Sequence, residues 1–207
     1  MFSGGESSVD FFKKLKDRLV PHQTDEEEDK KSTIQAPEEE IEKMEKKGKK
    51  VALSACLYGM KCRYDGSDNK DVKLLNVLHS NDYEIILFCP EDDCFGTPRP
   101  TMDLVYTENG IKAISNLTGA DLTPHIQEYA IDFFESNPDI ELFVGKDRSP
   151  SCGVKSARLY DRDRSLIKSD ATGVMAQVAK DYIKESIDAE EYLLLQESKL
   201  KGNQRDI

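Results

Sequence analysis

Three short, strongly apolar runs constrain this chain more than any other feature: Val51 to Cys56 (VALSAC), Tyr83 to Cys89 (YEIILFC) and Ile140 to Val144 (IELFV). A strand that is apolar at nearly every position is buried on both faces. Where such strands alternate with helices, the arrangement is a parallel sheet covered on both sides. The intervening segments fit. Asp71 caps a helix that runs to about Ser80, with Val72, Leu75 and His79 on one face and Leu74 and Leu78 beside them. Leu122 to Glu135 is amphipathic, with Asp121 or Thr123 as its cap. Thr172 to Ile183 and Glu190 to Leu200 read as two further helices. Met102 to Val105 and Ile111 to Ser115 read as a small hairpin around Glu108-Asn109-Gly110. Pro90 stops the second strand, a loop follows to Pro100, and the stretch after Gly153 reads as irregular. The expected architecture is a single α/β domain over residues 50–187, with a mainly parallel sheet flanked by helices. A C-terminal helix and tail follow over residues 188–207.

Residues 1–49 read differently. Phe11, Phe12, Leu15 and Leu19 fall on one face of a short amphipathic helix over residues 8–20, which Pro21 ends. Residues 22–37 carry Glu26-Glu27-Glu28-Asp29 and almost nothing apolar, so they cannot offset their ordering entropy and are expected to be disordered. Residues 38–47 favour a solvated helix, with acids first and lysines last. The chain thus begins with a disordered acidic leader, either a loose tether or a docking peptide. The 207-residue chain carries a net charge of −11, which argues against a nucleic-acid polymer as partner. No apolar run reaches the ~20 residues that span a bilayer, so stable membrane insertion is not expected. The start lacks the pattern of a secretory or mitochondrial signal, and the protein is expected to be cytoplasmic.

The five cysteines are informative for where they fall. Cys56 and Cys89 close the first two strands, and Cys152 lies in the loop just past the third. In a parallel sheet, all three converge on the carboxyl edge, where ligands bind. They are either a three-thiolate metal site with one open position or ordinary buried cysteines. Their neighbours add polar chemistry. Glu91 follows Cys89-Pro90, and Ser149 and Ser151 precede Cys152. Gly59 and Gly153 permit close backbone approach to a ligand. Arg63, Arg99 and Arg148 lie in the same loops, where positive charge favours thiolates. His22, His79 and His125 neighbour no cysteine loop in sequence, and read as structural or solvated.

The segments SACLYGMKCRYDG, CPE, TPRP and RSPSCG, in that order, resemble the family known as domain of unknown function 523, whose characterised member is a 2-thiouracil desulfidase. The resemblance covers roughly residues 51–185 and excludes the leader. It implies a 4Fe-4S cluster held by Cys56, Cys89 and Cys152, with a fourth iron open to the sulfur of a small thiolated substrate. It implies that Glu91 acts as the acid/base carboxylate and Ser149 as the assisting serine. Water replaces the sulfur, sulfide leaves, and no net redox occurs. Ser151, Arg63 and Tyr64 are the expected substrate contacts, and Cys62 belongs to the motif but not to the ligand set. The chain departs from its relatives at Asp92, Asp93 and Cys94, where they usually carry glycines. Two other readings use the same residues: a zinc site on these cysteines, which lacks the paired Cys-x-x-Cys of zinc ribbons, and a non-catalytic sulfur or cluster carrier or interaction module acting through the leader. Oligomeric state is not legible in the sequence.

Overall fold

The structure is a computed structural model and describes residues 48–203. All of the expected leader except residues 48 and 49, with its two helices and acidic linker, lies outside the described residues. Strand β1 (Lys50–Ser54) runs into a one-turn helix, α1 (Ala55–Tyr58). After a loop come α2 (Val72–Ser80), β2 (Glu84–Phe88) and a short helix, α3 (Pro90–Phe95). The hairpin of β3 (Met102–Thr107) and β4 (Gly110–Ser115) leads to α4 (Thr123–Ser136) and β5 (Ile140–Gly145). A second hairpin, β6 (Ala157–Tyr160) and β7 (Leu166–Ala171), precedes α5 (Val174–Tyr182), β8 (Glu185–Asp188) and α6 (Ala189–Asn203).

The expected parallel sheet is present, in the order β2-β1-β5-β8, with every neighbouring pair parallel. β1 has neighbours on both sides, and its side chains alternate between two cores. Val51 and Leu53 join Leu74, Leu78, Leu142, Val144 and Tyr192 beneath α2 and α6. Ala52 joins the opposite core with Phe88, Phe143, Ile126, Phe134 and Met175, beneath α4 and α5. Phe88 and Phe143 stack at 4.9 Å from strands on either side of β1, and Ala52 is the small residue of that core on the strand between them. The chain leaves β1 for β2 on one side and later returns to β5 on the other. The sheet therefore switches direction between β1 and β5, and a crevice opens at the carboxyl ends of those strands.

Several expectations are corrected. The sheet is not single: β4-β3-β6-β7 forms a second, mixed four-stranded sheet. The stretch read as irregular after Gly153 contains half of it. β7 has five exposed positions out of six, so it carries no apolar alternation to read. β8 was also missed, being only four residues long. The second strand does end before Pro90, but the loop expected after it begins with α3, where the missing N–H of Pro90 costs nothing and Glu91, Asp92 and Asp93 favour the helix N-terminus. β1 ends at Ser54, two residues before Cys56. On α2 the buried face is Leu74, Leu75 and Leu78, whereas Val72 is 58% exposed and His79 is exposed as well. Among the described residues, no helix is long and apolar enough to cross a membrane.

Candidate active site

Each segment at the carboxyl edge is delivered by a strand and then fixed by its own chemistry. Cys56 sits in α1, which Gly59 closes in the left-handed conformation (φ 112°). That left-handed helix end is what requires a glycine at position 59. Cys89 caps α3, which carries Glu91 in its first turn. Cys152 lies in the loop from Lys146 to Ser156, which is held from four sides. The Ser54 hydroxyl accepts the Lys146 amide at 3.0 Å and hydrogen-bonds the Cys152 sulfur. The Asp188 carboxylate, at the end of β8, accepts the Val154 and Lys155 amides and the Ser156 hydroxyl, each at 2.8 Å. The first amides of α5 donate to the loop: Val174 to the Pro150 carbonyl, Met175 and Ala176 to that of Ser151. Finally, Gly145 and Gly173 let the loop backbone lie close. A Cβ on Gly145 would stand 1.9 Å from the Cys152 carbonyl oxygen, and one on Gly173 would stand 2.5 Å from the Ser151 carbonyl carbon.

Cys56, Cys89 and Cys152 line one cavity of about 510 Å³, together with Glu91, Ser149, Arg63 and Tyr64. Ser151 does not line it. Its side chain is fully buried behind Glu91, and its hydroxyl donates to Glu91 Oε1 at 2.9 Å. Ser149 uses its hydroxyl within the loop, accepting the Ser151 and Cys152 amides at 3.2 and 3.1 Å. These two amides are thus spent internally rather than offered to a ligand. Arg63 lies 5.6 Å from the centre of the Tyr64 ring and donates to the Ser67 hydroxyl at 2.9 Å. Arg148 pairs with Glu190 at 2.8 Å.

Sequence reasoning named Arg99 and Cys62 but not the partners they meet. Arg99 is not a surface cation: it is 8% exposed and bonds Glu91 Oε2 from Nη2 at 3.1 Å. Its signal was the placement of an arginine between the two prolines of TPRP. Cys62 is 4% exposed and also lines the cavity, and its carbonyl accepts from the Cys89 thiol at 3.6 Å. The contribution of β6, Arg158 and Tyr160, was invisible because β6 itself was.

All five cysteines are free. Burial, followed by the proximity of Cys89, pushes the Cys56 thiol up to about 11, although Lys146 and Arg63 pull the other way. Burial, with Glu91 next, raises Cys152 well above the usual thiol range. The hydrogen bond that Cys89 donates to Cys62, followed by burial, raises the Cys89 thiol. The nearby cations therefore do not create thiolates by themselves, and a positively charged metal group would have to displace the protons. Among the described residues, no three thiol, imidazole or carboxylate groups are gathered closely enough for one metal ion. Four thiols line the cavity, and three of them, Cys56, Cys89 and Cys152, come from segments that follow different strands, a donor set that fits a polynuclear cluster taking one sulfur at each of several irons.

Comparison with known proteins gives a consistent picture. The sequence model of the 2-thiouracil desulfurase family matches residues 51–191. The uncharacterized protein YbbK of Bacillus subtilis (strain 168) is 29% identical over 138 residues, covering 63% of this chain and 89% of that protein. The solved structure of a [4Fe-4S]-dependent thiouracil desulfidase, TudS, is similar with a TM-score of 0.56 and 26% identity, over 72% of this chain and 98% of that one. With the family's sequence model matched across most of its length, this chain belongs to the 2-thiouracil desulfurase family.

Proposed function

We propose that the protein is a 4Fe-4S-dependent desulfidase that replaces the sulfur of a small thiocarbonyl compound, such as a thiouracil, with oxygen from water. One observation carries the reading: three free thiols, each from a segment that follows a different strand of the parallel sheet, share a cavity with a carboxylate whose two oxygens are both held. The balance is a thiocarbonyl plus water giving a carbonyl plus hydrogen sulfide, with no change of oxidation state.

Cys56, Cys89 and Cys152 would hold the cluster. When bound, it supplies a Lewis-acidic iron with an open position for the substrate's sulfur. The chain's residues do the rest. Glu91 takes a proton from the attacking water and returns it to the departing sulfide. Arg63 and Tyr64, which line the cavity, orient the ring. Ser149 holds the Cys152 loop in place through its two amide bonds, and its position on the cavity wall leaves its hydroxyl proton available to the substrate. Residues 50–187 form the desulfidase domain. Free thiols suit a reducing compartment, and we place the protein in the cytoplasm.

The test is anaerobic purification or reconstitution with iron and sulfide, followed by metal analysis and visible absorption. The wild-type protein should hold about four irons per chain with broad visible absorption, and the absorption should fall on replacing Cys56, Cys89 or Cys152 with serine. It should then release sulfide from a thiouracil. Stoichiometric zinc without visible absorption, or no metal after reconstitution, would overturn the proposal.

A further inference from the structure

Arg99 is the most deeply buried cation of the cavity wall, with 4% of its side chain exposed. A buried guanidinium is costly unless its donors are used, and these are. Nη2 donates to Glu91 Oε2 at 3.1 Å and to the Cys62 carbonyl at 3.0 Å. Nε reaches the same Glu91 oxygen at 3.4 Å. Nη1 donates to the Gly96 carbonyl at 3.0 Å and to the Thr97 hydroxyl at 2.9 Å, and lies 4.0 Å from Asp92. The other oxygen of Glu91 accepts from the buried Ser151 hydroxyl. Glu91 is therefore gripped from two sides by segments far apart in the chain.

We infer that Arg99 and Ser151 are positioning residues that fix the direction of the Glu91 carboxylate toward the cavity. The inference rests on the acid/base role proposed for Glu91. A glutamate in the first turn of a six-residue helix has three free side-chain torsions, and a carboxylate that serves both water and a leaving sulfide has to present one orientation to both. A planar fork that bonds Glu91, two backbone carbonyls and a hydroxyl at once sets that orientation. A lysine, with a single ammonium group, cannot reproduce it. Ser151 places the same demand on the other oxygen and, adjacent to Cys152, links the acid's orientation to the third thiol's loop. A purely structural ion pair would not need both oxygens held by separate segments.

The test uses the full chain, loaded with iron and sulfide, in the variants Arg99→Lys, Ser151→Ala and Glu91→Gln and in Glu91→Gln combined with each of the other two. Readouts are iron content, visible absorption, and kcat and KM for sulfide release from a thiouracil. Arg99→Lys should keep its iron and absorption and hold KM within about two-fold, while kcat falls roughly 10- to 100-fold. Ser151→Ala should behave likewise, with a fall of about 10-fold. In the Glu91→Gln background, neither change should lower the residual rate further, because the group they orient is gone. Wild-type kcat in Arg99→Lys, loss of its iron, or an undiminished effect in the Glu91→Gln background would overturn the inference. Should Arg99→Lys not fold, the Ser151→Ala arm decides alone by the same criteria. Wild-type activity in Glu91→Gln would instead overturn the acid/base role, and the inference with it. An impaired Glu91→Gln beside a fully active Arg99→Lys overturns the inference only.

Discussion

At two positions a single methyl group would collide with the site's own backbone. Gly145 ends β5, and a Cβ there would overlap the Cys152 carbonyl; Gly173 precedes α5 and meets the Ser151 carbonyl in the same way. Neither glycine has a positive φ, so the requirement is for room and not for an unusual conformation. Gly145→Ala should cost about 3 kcal/mol of stability through overpacking against backbone. It should also push Cys152 away from the cavity, so that the variant holds less iron than wild type after reconstitution. Urea unfolding and iron analysis on one preparation check both. An alanine variant with unchanged stability and iron content would mean that the loop can give way there at little cost. The sequence had suggested a different pair, Gly59 and Gly153, as points of ligand approach. Those two prove to serve a helix end and the loop's own packing.

Among the elements, β8 is short but holds the site from its far end. Asp188, 4% exposed, anchors Val154, Lys155 and Ser156 with three charge-assisted bonds, and Ser156 in turn accepts the Arg148 amide at 2.8 Å. Asp188→Ala leaves two amides without their acceptor, and should lower stability by roughly 3 kcal/mol. A shift of the urea midpoint at unchanged slope is the expected signature. The elements legible in the sequence were β1, β2, β5, the β3–β4 hairpin and the helices α2, α4, α5 and α6, most of them through strong apolar patterns. The illegible ones had physical reasons to be so. β7 is exposed at all but its last position, and α1 is a single turn. α3 opens with a proline that, without knowledge of the preceding turn, reads as a stop signal. The site was legible as three cysteines and their neighbours because strand ends mark where a parallel sheet presents its ligands. The partnership of Glu91 with Arg99 and Ser151 was not, because no local pattern specifies which side chains of three loops will meet.

At the scale of the whole molecule, among the described residues everything that lines the cavity lies between Ser54 and Tyr160, and the family match begins at residue 51. Removing residues 1–47 should therefore leave iron content and sulfide release within about two-fold of the full chain. A truncated chain that folds and holds iron but releases no sulfide would assign the leader a part in the reaction. The topology constrains the larger behaviour of the site as well. Its three thiols come from segments remote in sequence, and they meet only because β1 stands between β2 and β5. Closing such long loops is slow and entropically costly until the sheet rewards it. During synthesis Cys56 and Cys89 emerge well before Cys152, so a growing chain has two thirds of a binding site and no cavity. On the proposed function, iron and sulfur could be seated only once the segment that carries Cys152 has been made and has joined the sheet. The order of strands in the sheet would then set the earliest moment at which the site can be loaded, after β5 has taken its place beside β1.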